Sequence, residues 1–282
     1  MRVPVLTYHA MNVGGSDYAN NDHVALAEDL RTIHQLGLRI VRLADVVDAC
    51  IGDRTDNLER CVALSFDDGS WFDWYDIEHP THGLQRGFAG ILRDFRAQTG
   101  ADAFATSFVI VSPQARAILD TTCMVGRGWW TDAWWSNALD EGLLAIENHS
   151  WDHNHPTLPQ NAALAQSPGT FATVASVAAA DHQILRAHQW LRQQLPQQPS
   201  SLFAYPYGQS NAFLRETYFP QHAAAAGIKA AFGTSADYVT AHCDRWNLPR
   251  LVAGHHWKSP AQLRRILDDA VAVPGIAFRC GD

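Results

Sequence analysis

Two adjacent carboxylates end an apolar run in the segment LSFDDG, residues 64–69. Neighbouring side chains of a regular strand point to opposite faces, so Asp67 and Asp68 would diverge if the strand simply continued. Gly69 frees the backbone at this point, and both carboxylates can then turn into one cavity at the end of the strand. The alternative interpretation is an aspartate that caps a turn or a helix, which is common after strands.

A second polar cluster, ENHSWDHNHP, covers residues 147–156 and contains His149, His153 and His155. Histidines four residues apart lie on one face of a helix, so His149 and His153 could reach a single metal ion. A carboxylate from elsewhere would complete a set of two histidines and one aspartate, with positions left open for water and substrate. The cluster therefore predicts a catalytic metal site, in which His155 could also replace His153.

A third segment, FAYPYGQSN, covers residues 203–211 and also follows a strand. Pro206 and Gly208 favour a sharp turn. Such a turn can aim a backbone N–H group into a cavity, where it stabilises an oxyanion. An ordinary loop between a strand and a helix is the alternative.

Short apolar runs alternate with helical patterns along the chain, which favours βαβ units and a parallel sheet, either closed into a barrel or doubly wound. We therefore predict an α/β fold, and a single domain over residues 1–282, since no linker or internal repeat divides the sequence. Strands are predicted at 3–8, 38–41, 61–66, 103–111, 143–147, 201–206, 229–234 and 248–254. Helices are predicted at 24–37, 43–50, 88–100, 170–195, 211–227 and 259–271.

Two predicted connections, 70–87 and 121–142, are long and rich in tryptophan. Long loops in a compact domain are often functional, and flat aromatic rings bind sugar faces with little loss of entropy. The segment RGWWTDAWW, residues 127–135, is therefore interpreted as a substrate contact. Packing against the fold is the alternative for any single tryptophan.

Composition narrows the function classes. The formal net charge of -8 and the lack of a Lys/Arg-rich run argue against a nucleic-acid partner. Five scattered cysteines without a C-x-x-C pair argue against a disulfide framework, so reduced cysteines are expected. No apolar run approaches the roughly 20 residues that span a bilayer. The opening MRVPVLTYHA reads as a strand, not as a signal peptide, so we expect a cytoplasmic protein without a membrane partner.

Together the three polar segments resemble the motifs of the polysaccharide deacetylase family, carbohydrate esterase family four. The family's T-F-D-D-G motif is SFDDG here, its paired-histidine motif is HSWDH, and its R-x-P-Y-G motif is AYPYG. The order of the segments also matches. The opening PVLTYH is similar to the branch that includes poly-N-acetylglucosamine deacetylases, where a Tyr-His pair closes the first strand.

The resemblance implies a distorted (β/α) barrel of seven or eight mostly parallel strands and one divalent metal ion, often zinc. It implies Asp68, His149 and His153 as metal ligands. It also implies Asp67 as general base and the backbone N–H of Tyr207 as an oxyanion donor. The implied activity is removal of N-acetyl groups, with O-acetyl groups as second choice, from an acetylated saccharide by metal-activated water.

The chain departs from the family pattern at two points. Ala204 stands where the third motif has an arginine that orients the base, and Arg250, at the end of a predicted strand, is the expected substitute. The late L-x-H motif that supplies the general acid is not evident either. His9, which ends the first strand, is the preferred acid, and His255 and His256 are the alternatives.

Two other functions stay open on these residues. One is metal-dependent hydrolysis of small cyclic or linear amides on the same scaffold, for which a narrow, closed cavity is expected. The other is a carbohydrate-binding protein that has lost catalysis, an interpretation that the missing arginine of the third motif favours.

Overall fold

The computed structural model describes residues 1–53, 57–160, 162–164 and 166–272. Most strands within these ranges follow the apolar runs of the sequence. The strands are β1 (Val5–His9), β2 (Arg39–Ile40), β3 (Cys61–Asp68), β4 (Ile77–His79), β5 (Gly83–Gln85), β6 (Ala105–Val109), β7 (Leu144–Asn148), β8 (Leu202–Ala204), β9 (Ala230–Phe232) and β10 (Leu251–Val252).

Among the described residues, one sheet has eight strands in the order β10-β1-β3-β6-β7-β8-β9, with β2 paired to β3. All of these pairs are parallel. Irregular backbone joins β9 to the segment before β10, where Phe232 bridges Leu248 and the Gly233 N–H donates to the Leu248 carbonyl at 2.9 Å. The sheet is therefore a distorted barrel of the predicted class, with the antiparallel hairpin β4–β5 outside it.

Helices cover the barrel, and side chains cap several of their amino ends. Asn21 caps the first helix by accepting from the His23 N–H, and Ser259 caps the last by accepting from the Gln262 N–H. The α-helices are α1 (Asp22–Gln35), α2 (Leu43–Cys50), α3 (Phe88–Thr99), α4 (Pro113–Thr122), α5 (Trp135–Asp140), α6 (Val177–Ala180), α7 (Arg186–Gln194) and α8 (Pro260–Val271). A π-helical segment, Asp181–Leu185, joins α6 to α7, and a second covers Phe213–Ala223.

The helix predicted over residues 170–195 begins seven residues late, at Val177, because side chains hold the preceding backbone in a loop. Asn154 donates to the carbonyls of Ser167 and Thr170, both at 2.7 Å. The Gln209 side-chain oxygen accepts from the Phe171 N–H at 2.9 Å. Backbone groups bound in this way are not available for helical hydrogen bonds.

The barrel interior is apolar near the amino ends of its strands and polar near the carboxyl ends. Val5 of β1 and Ala63 of β3 belong to one buried cluster. Further along β1 and β3, the hydroxyls of Thr7 and Ser65 form a buried hydrogen bond of 2.9 Å. Alternate residues of a strand share a face, so the next interior positions lie at the rim where active sites of parallel barrels form.

The described cysteines are free thiols, as predicted: Cys50, Cys61, Cys123 and Cys243. Cys280 lies outside the described residues. Within the described part of the chain, every helix is too short or too polar to cross a membrane.

Candidate active site

The end of β3 sends both aspartates to the carboxyl rim of the barrel. Asp67 follows Ser65 on the interior face and is in register with His9 of β1. The backbone then enters the left-handed region at Asp68 (φ 78°) and Gly69 (φ 74°), which breaks the alternation of the strand. A Cβ atom at Gly69 would lie 2.4 Å from Cγ1 of Val109, so only glycine fits here.

The segment after β7 brings two histidines together by a route that the sequence did not predict. Residues 149–154 form bends and turns instead of a helix, so the predicted shared helical face is wrong. Ser150 (φ 71°) and His153 (φ 63°) are left-handed, and the Ser150 Oγ accepts from the His153 N–H at 2.9 Å. This compact turn places the rings of His149 and His153 with centroids 5.0 Å apart.

Asp68, His149 and His153 each offer a ligand atom, and these atoms lie within 4.8 Å of one another. Oδ1 of Asp68 is 3.7 Å from Nε2 of His149 and 3.8 Å from Nε2 of His153. Ligand atoms of a tetrahedral zinc ion, each about 2.0–2.2 Å from the metal, are separated by roughly 3.3–3.6 Å. The cluster therefore has the size that a divalent ion requires.

The orientation of His149 and the burial of His153 also suit a cation. Nδ1 of His149 lies 2.9 Å from the Ala204 carbonyl oxygen and donates to it, which turns Nε2 towards Asp68. Burial lowers the pKa of His153 well below its usual value, and the nearby rings of His149 and His155 lower it further. Two imidazoles next to a carboxylate are the donor set of a zinc site.

Arg250 lies against Asp67, at the position expected of a substitute for the missing arginine. Its Nη1 is 2.6 Å from Oδ1 and its Nη2 is 2.9 Å from Oδ2, while Nε donates to the Gly233 carbonyl at 3.1 Å. Both side chains are buried. Burial alone would raise the pKa of Asp67, but the charges of Arg250 and His149 and the hydrogen bonds from Arg250 outweigh it and hold the pKa well below its usual value.

The remaining predicted catalytic groups border the same cavity of about 400 Å³. Nε2 of His9 is 4.0 Å from Oδ2 of Asp67, and its side chain is 38% exposed, so it can exchange protons with solvent. Tyr207 is left-handed (φ 58°), and its ring packs edge-on against His153 with centroids 4.4 Å apart.

The alternative histidines lie further from the carboxylates. His155 lines the cavity, but its Nε2 is 3.6 Å from Sγ of Cys123 and its Nδ1 is 2.9 Å from the Thr157 hydroxyl. His255 is an exposed residue of the cavity wall. Nδ1 of His256 accepts the Val252 N–H at 2.7 Å.

The tryptophan-rich segment 127–135 contributes less to the cavity than its sequence suggests. Trp134 and Trp135 are buried in the main core, where Trp134 stacks on Trp74 at 6.3 Å. Trp130 alone among these borders the cavity, and its Nε1 donates to the Asp68 carbonyl at 3.1 Å. Substrate contact is therefore wrong for Trp134 and Trp135, for which packing in the core is the observed role.

One wall of the active-site cavity is apolar, and no sequence motif predicted it. Ile110, Leu119 and Trp130 form this wall and belong to one buried cluster. A second cavity, of about 430 Å³, lies between α1 and α3. Its size is similar, but Asp68, His149 and His153 do not line it.

Comparison with known proteins agrees with this geometry. The structure of IcaB from Ammonifex degensii superimposes with a TM-score of 0.65 at 18% identity, covering 96% of this chain and 97% of that one. The Streptococcus pyogenes deacetylase PplD in complex with acetate gives 0.63 at 19% identity, covering 95% and 98%. At these identities the likeness shows a shared fold. No curated protein matches the sequence.

The sequence itself matches a family model. The model described as polysaccharide deacetylase covers residues 54–231, which is more than half of the 282-residue chain. The matched segment contains both aspartates of β3 and the histidines that follow β7. The chain therefore belongs to the polysaccharide deacetylase family, and it is a hydrolase of carbon–nitrogen bonds other than peptide bonds.

Proposed function

We propose that this chain removes N-acetyl groups from a saccharide in a reaction that depends on one divalent metal ion. The observation that carries the proposal is the meeting of three potential ligands with a buried carboxylate that Arg250 holds ionised. Family membership supports an acetylated saccharide as the substrate class. The cavity of about 400 Å³ is large enough for a sugar residue with its acetamido group.

Asp68, His149 and His153 would hold the metal, with zinc as the best match to one carboxylate and two imidazoles. When bound, such an ion acts as a Lewis acid and makes a water molecule acidic enough to supply hydroxide near neutral pH. Three protein ligands leave a coordination position open, which is the pattern of catalytic sites.

Asp67 accepts the proton of the attacking water. The Arg250 fork occupies both oxygens, with the shorter contact on Oδ1. Oδ2 faces the histidines, 3.9 Å from Nε2 of His149 and 4.0 Å from Nε2 of His9. Because the pKa of Asp67 is held below its usual value, the carboxylate is charged near neutral pH, as a proton acceptor must be.

His9 donates the proton that the leaving amine needs, because an amide bond does not break without an acid. Its Nε2 lies 4.0 Å from Oδ2 of Asp67, on the wall of the same cavity. The Asp22 carboxylate accepts from the His9 backbone N–H at 2.7 Å and fixes the end of β1. The Tyr207 N–H is assigned to the oxyanion, since its left-handed turn borders the cavity.

The test is acetate release from acetylated chitooligosaccharides by metal-free and zinc-loaded protein. We expect release only with the metal, and a loss of turnover with full zinc binding for Asp67→Asn. Asp140→Asn, the same chemical change at the exposed end of α5, is the matched control and should keep turnover. A protein that binds one zinc ion and the oligosaccharide but releases no acetate would instead support a carbohydrate-binding role.

A further inference from the structure

A second, smaller cavity of about 120 Å³ adjoins the active-site cavity. We call it the annex, and five of the seven side chains that line it are apolar, the other two being His79 and Cys123: Met11, Val13, Phe72, His79, Cys123, Met124 and Val125. The two cavities share Met11 and Cys123 on their walls. A molecule bound at the Asp68 cluster can therefore extend into the annex without crossing the barrel.

The annex is built by segments that are far apart in the sequence and firmly held. The Asp120 carboxylate accepts from the N–H groups of Gly128 and Trp129, both at 2.8 Å, and anchors the loop that carries Met124 and Val125. Val125 is nevertheless 38% exposed. The loop that carries Met124 and Val125 is thus held in place by hydrogen bonds.

The chemistry of the walls selects an apolar occupant. The chain has three methionines, and the two that are not at the first position, Met11 and Met124, both line the annex. Methionine adapts its shape to flexible apolar ligands. A further sugar ring would bring hydroxyl groups against Val13 and Phe72, and burying such groups without partners is unfavourable. His79 is the imidazole in the wall, and its Nδ1 already accepts from the N–H groups of Thr81 and His82.

An apolar path leads from the ligand cluster to the annex. Ile110, Leu119 and Trp130 border the active-site cavity, and Met11 and Met124 pack against the same hydrophobic cluster. In an N-acyl sugar, the acyl chain is the apolar part attached to the carbonyl that is attacked. A longer acyl chain that followed this wall from the ligand cluster would reach the annex.

We infer that the annex binds the far end of an N-acyl chain longer than acetyl, so that the enzyme also hydrolyses short-chain N-acyl amino sugars. The position of the carbonyl rests on the proposed function. At about 30 Å³ for each methylene-sized group, 120 Å³ holds roughly four such groups. Each buried methylene is expected to improve binding about fourfold, until the annex is full.

The test measures free amine released from N-acetyl-, N-butyryl-, N-hexanoyl- and N-octanoyl-glucosamine by the zinc-loaded enzyme. Wild type should show a rise in kcat/KM of about fourfold per methylene over the part of the series that fills the annex. Val125→Asp puts a charge in the annex and should bring the hexanoyl-to-acetyl ratio close to one. Val177→Asp is the matched control, since Val177 is 40% exposed on α6, and should keep the wild-type ratio.

Calorimetric binding of the same series separates the two proposals. Release of acetate with a flat or falling dependence on chain length would overturn the annex and leave the deacetylase function intact. No release of any acyl group, together with binding that tightens with chain length and is lost in Val125→Asp, would overturn the proposed function instead. An equal dependence on chain length in wild type and Val125→Asp would place the acyl chain outside the annex.

Discussion

Replacing Arg250 by methionine removes the guanidinium that contacts both oxygens of Asp67. The substitution keeps an apolar stem of similar length over the Phe108 ring, which the guanidinium carbon now faces at 5.3 Å from the centroid. It leaves a fully buried carboxylate without its fork of hydrogen bonds at 2.6 and 2.9 Å. Asp67 then has to stay charged without compensation or take up a proton.

The expected loss of stability follows from the burial of the pair. Removing one member of a buried ion pair typically costs about 3–5 kcal/mol, because the other charge stays desolvated. For a chain of this size, about 2–4 °C of Tm is lost per kcal/mol, so Arg250→Met should lower Tm by roughly 6–20 °C. The double variant Asp67→Asn/Arg250→Met leaves no charge and should lose less than Arg250→Met alone.

Arg93→Met is the matched control. Arg93 makes the same two-pronged contact with Glu141, with both distances 2.7 Å, and lies over the Trp74 ring at 4.4 Å. Its side chain is 38% exposed, so its loss should cost at most about 1 kcal/mol. Urea and thermal unfolding of the metal-free proteins measure both effects. Equal losses in the free energy of unfolding for Arg250→Met and Arg93→Met would refute the argument that burial makes the Asp67–Arg250 pair important for stability.

Two further predictions concern stability away from the ion pair. Burial raises the pKa of Glu147 from 4.5 to about 7, so folding favours the protonated carboxyl. The stability that this protonated group contributes is fully present below about pH 4.5 and is lost as pH rises through 7, which lowers the free energy of unfolding by about 3 kcal/mol. Glu147→Gln should therefore gain stability relative to wild type between pH 4.5 and 8 in urea unfolding, and a constant difference would contradict this. Gly69→Ala should lose about 2–4 kcal/mol from its left-handed backbone and the overlap with Val109. Gly100→Ala, at φ 70° with open space around it, should lose only the backbone part, and equal losses would remove the overlap from the explanation.

Most of the barrel could be predicted from the sequence, because its strands are continuous apolar runs between helical patterns. β3 and β6 are examples, since a parallel strand buried on both faces needs no polar alternation. The hairpin β4–β5 was missed, since its strands of three residues are too short to show a period. Helix α4 was also missed, although Ser112 and Pro113 carry the usual signal of a helix start.

The site was predicted where a motif holds its residues close in the chain, and less well where distant segments meet. The sequence predicted that Asp67 and Asp68 would face one cavity, and the structure brings them to the same rim. The turn that positions His153 depends on left-handed residues and on a hydrogen bond to the Ser150 hydroxyl. Neither feature can be predicted from the spacing of the histidines. The apolar wall formed by Ile110 and its neighbours follows from tertiary packing alone.

The most direct test of this account is an anomalous difference map from crystals of the zinc-loaded protein. The account predicts one peak per chain, about 2.0–2.2 Å from a carboxylate oxygen of Asp68 and from Nε2 of His149 and His153, with Asp67 still held by Arg250. A zinc peak elsewhere, or a zinc-loaded protein in which these three side chains touch no ion, would contradict it.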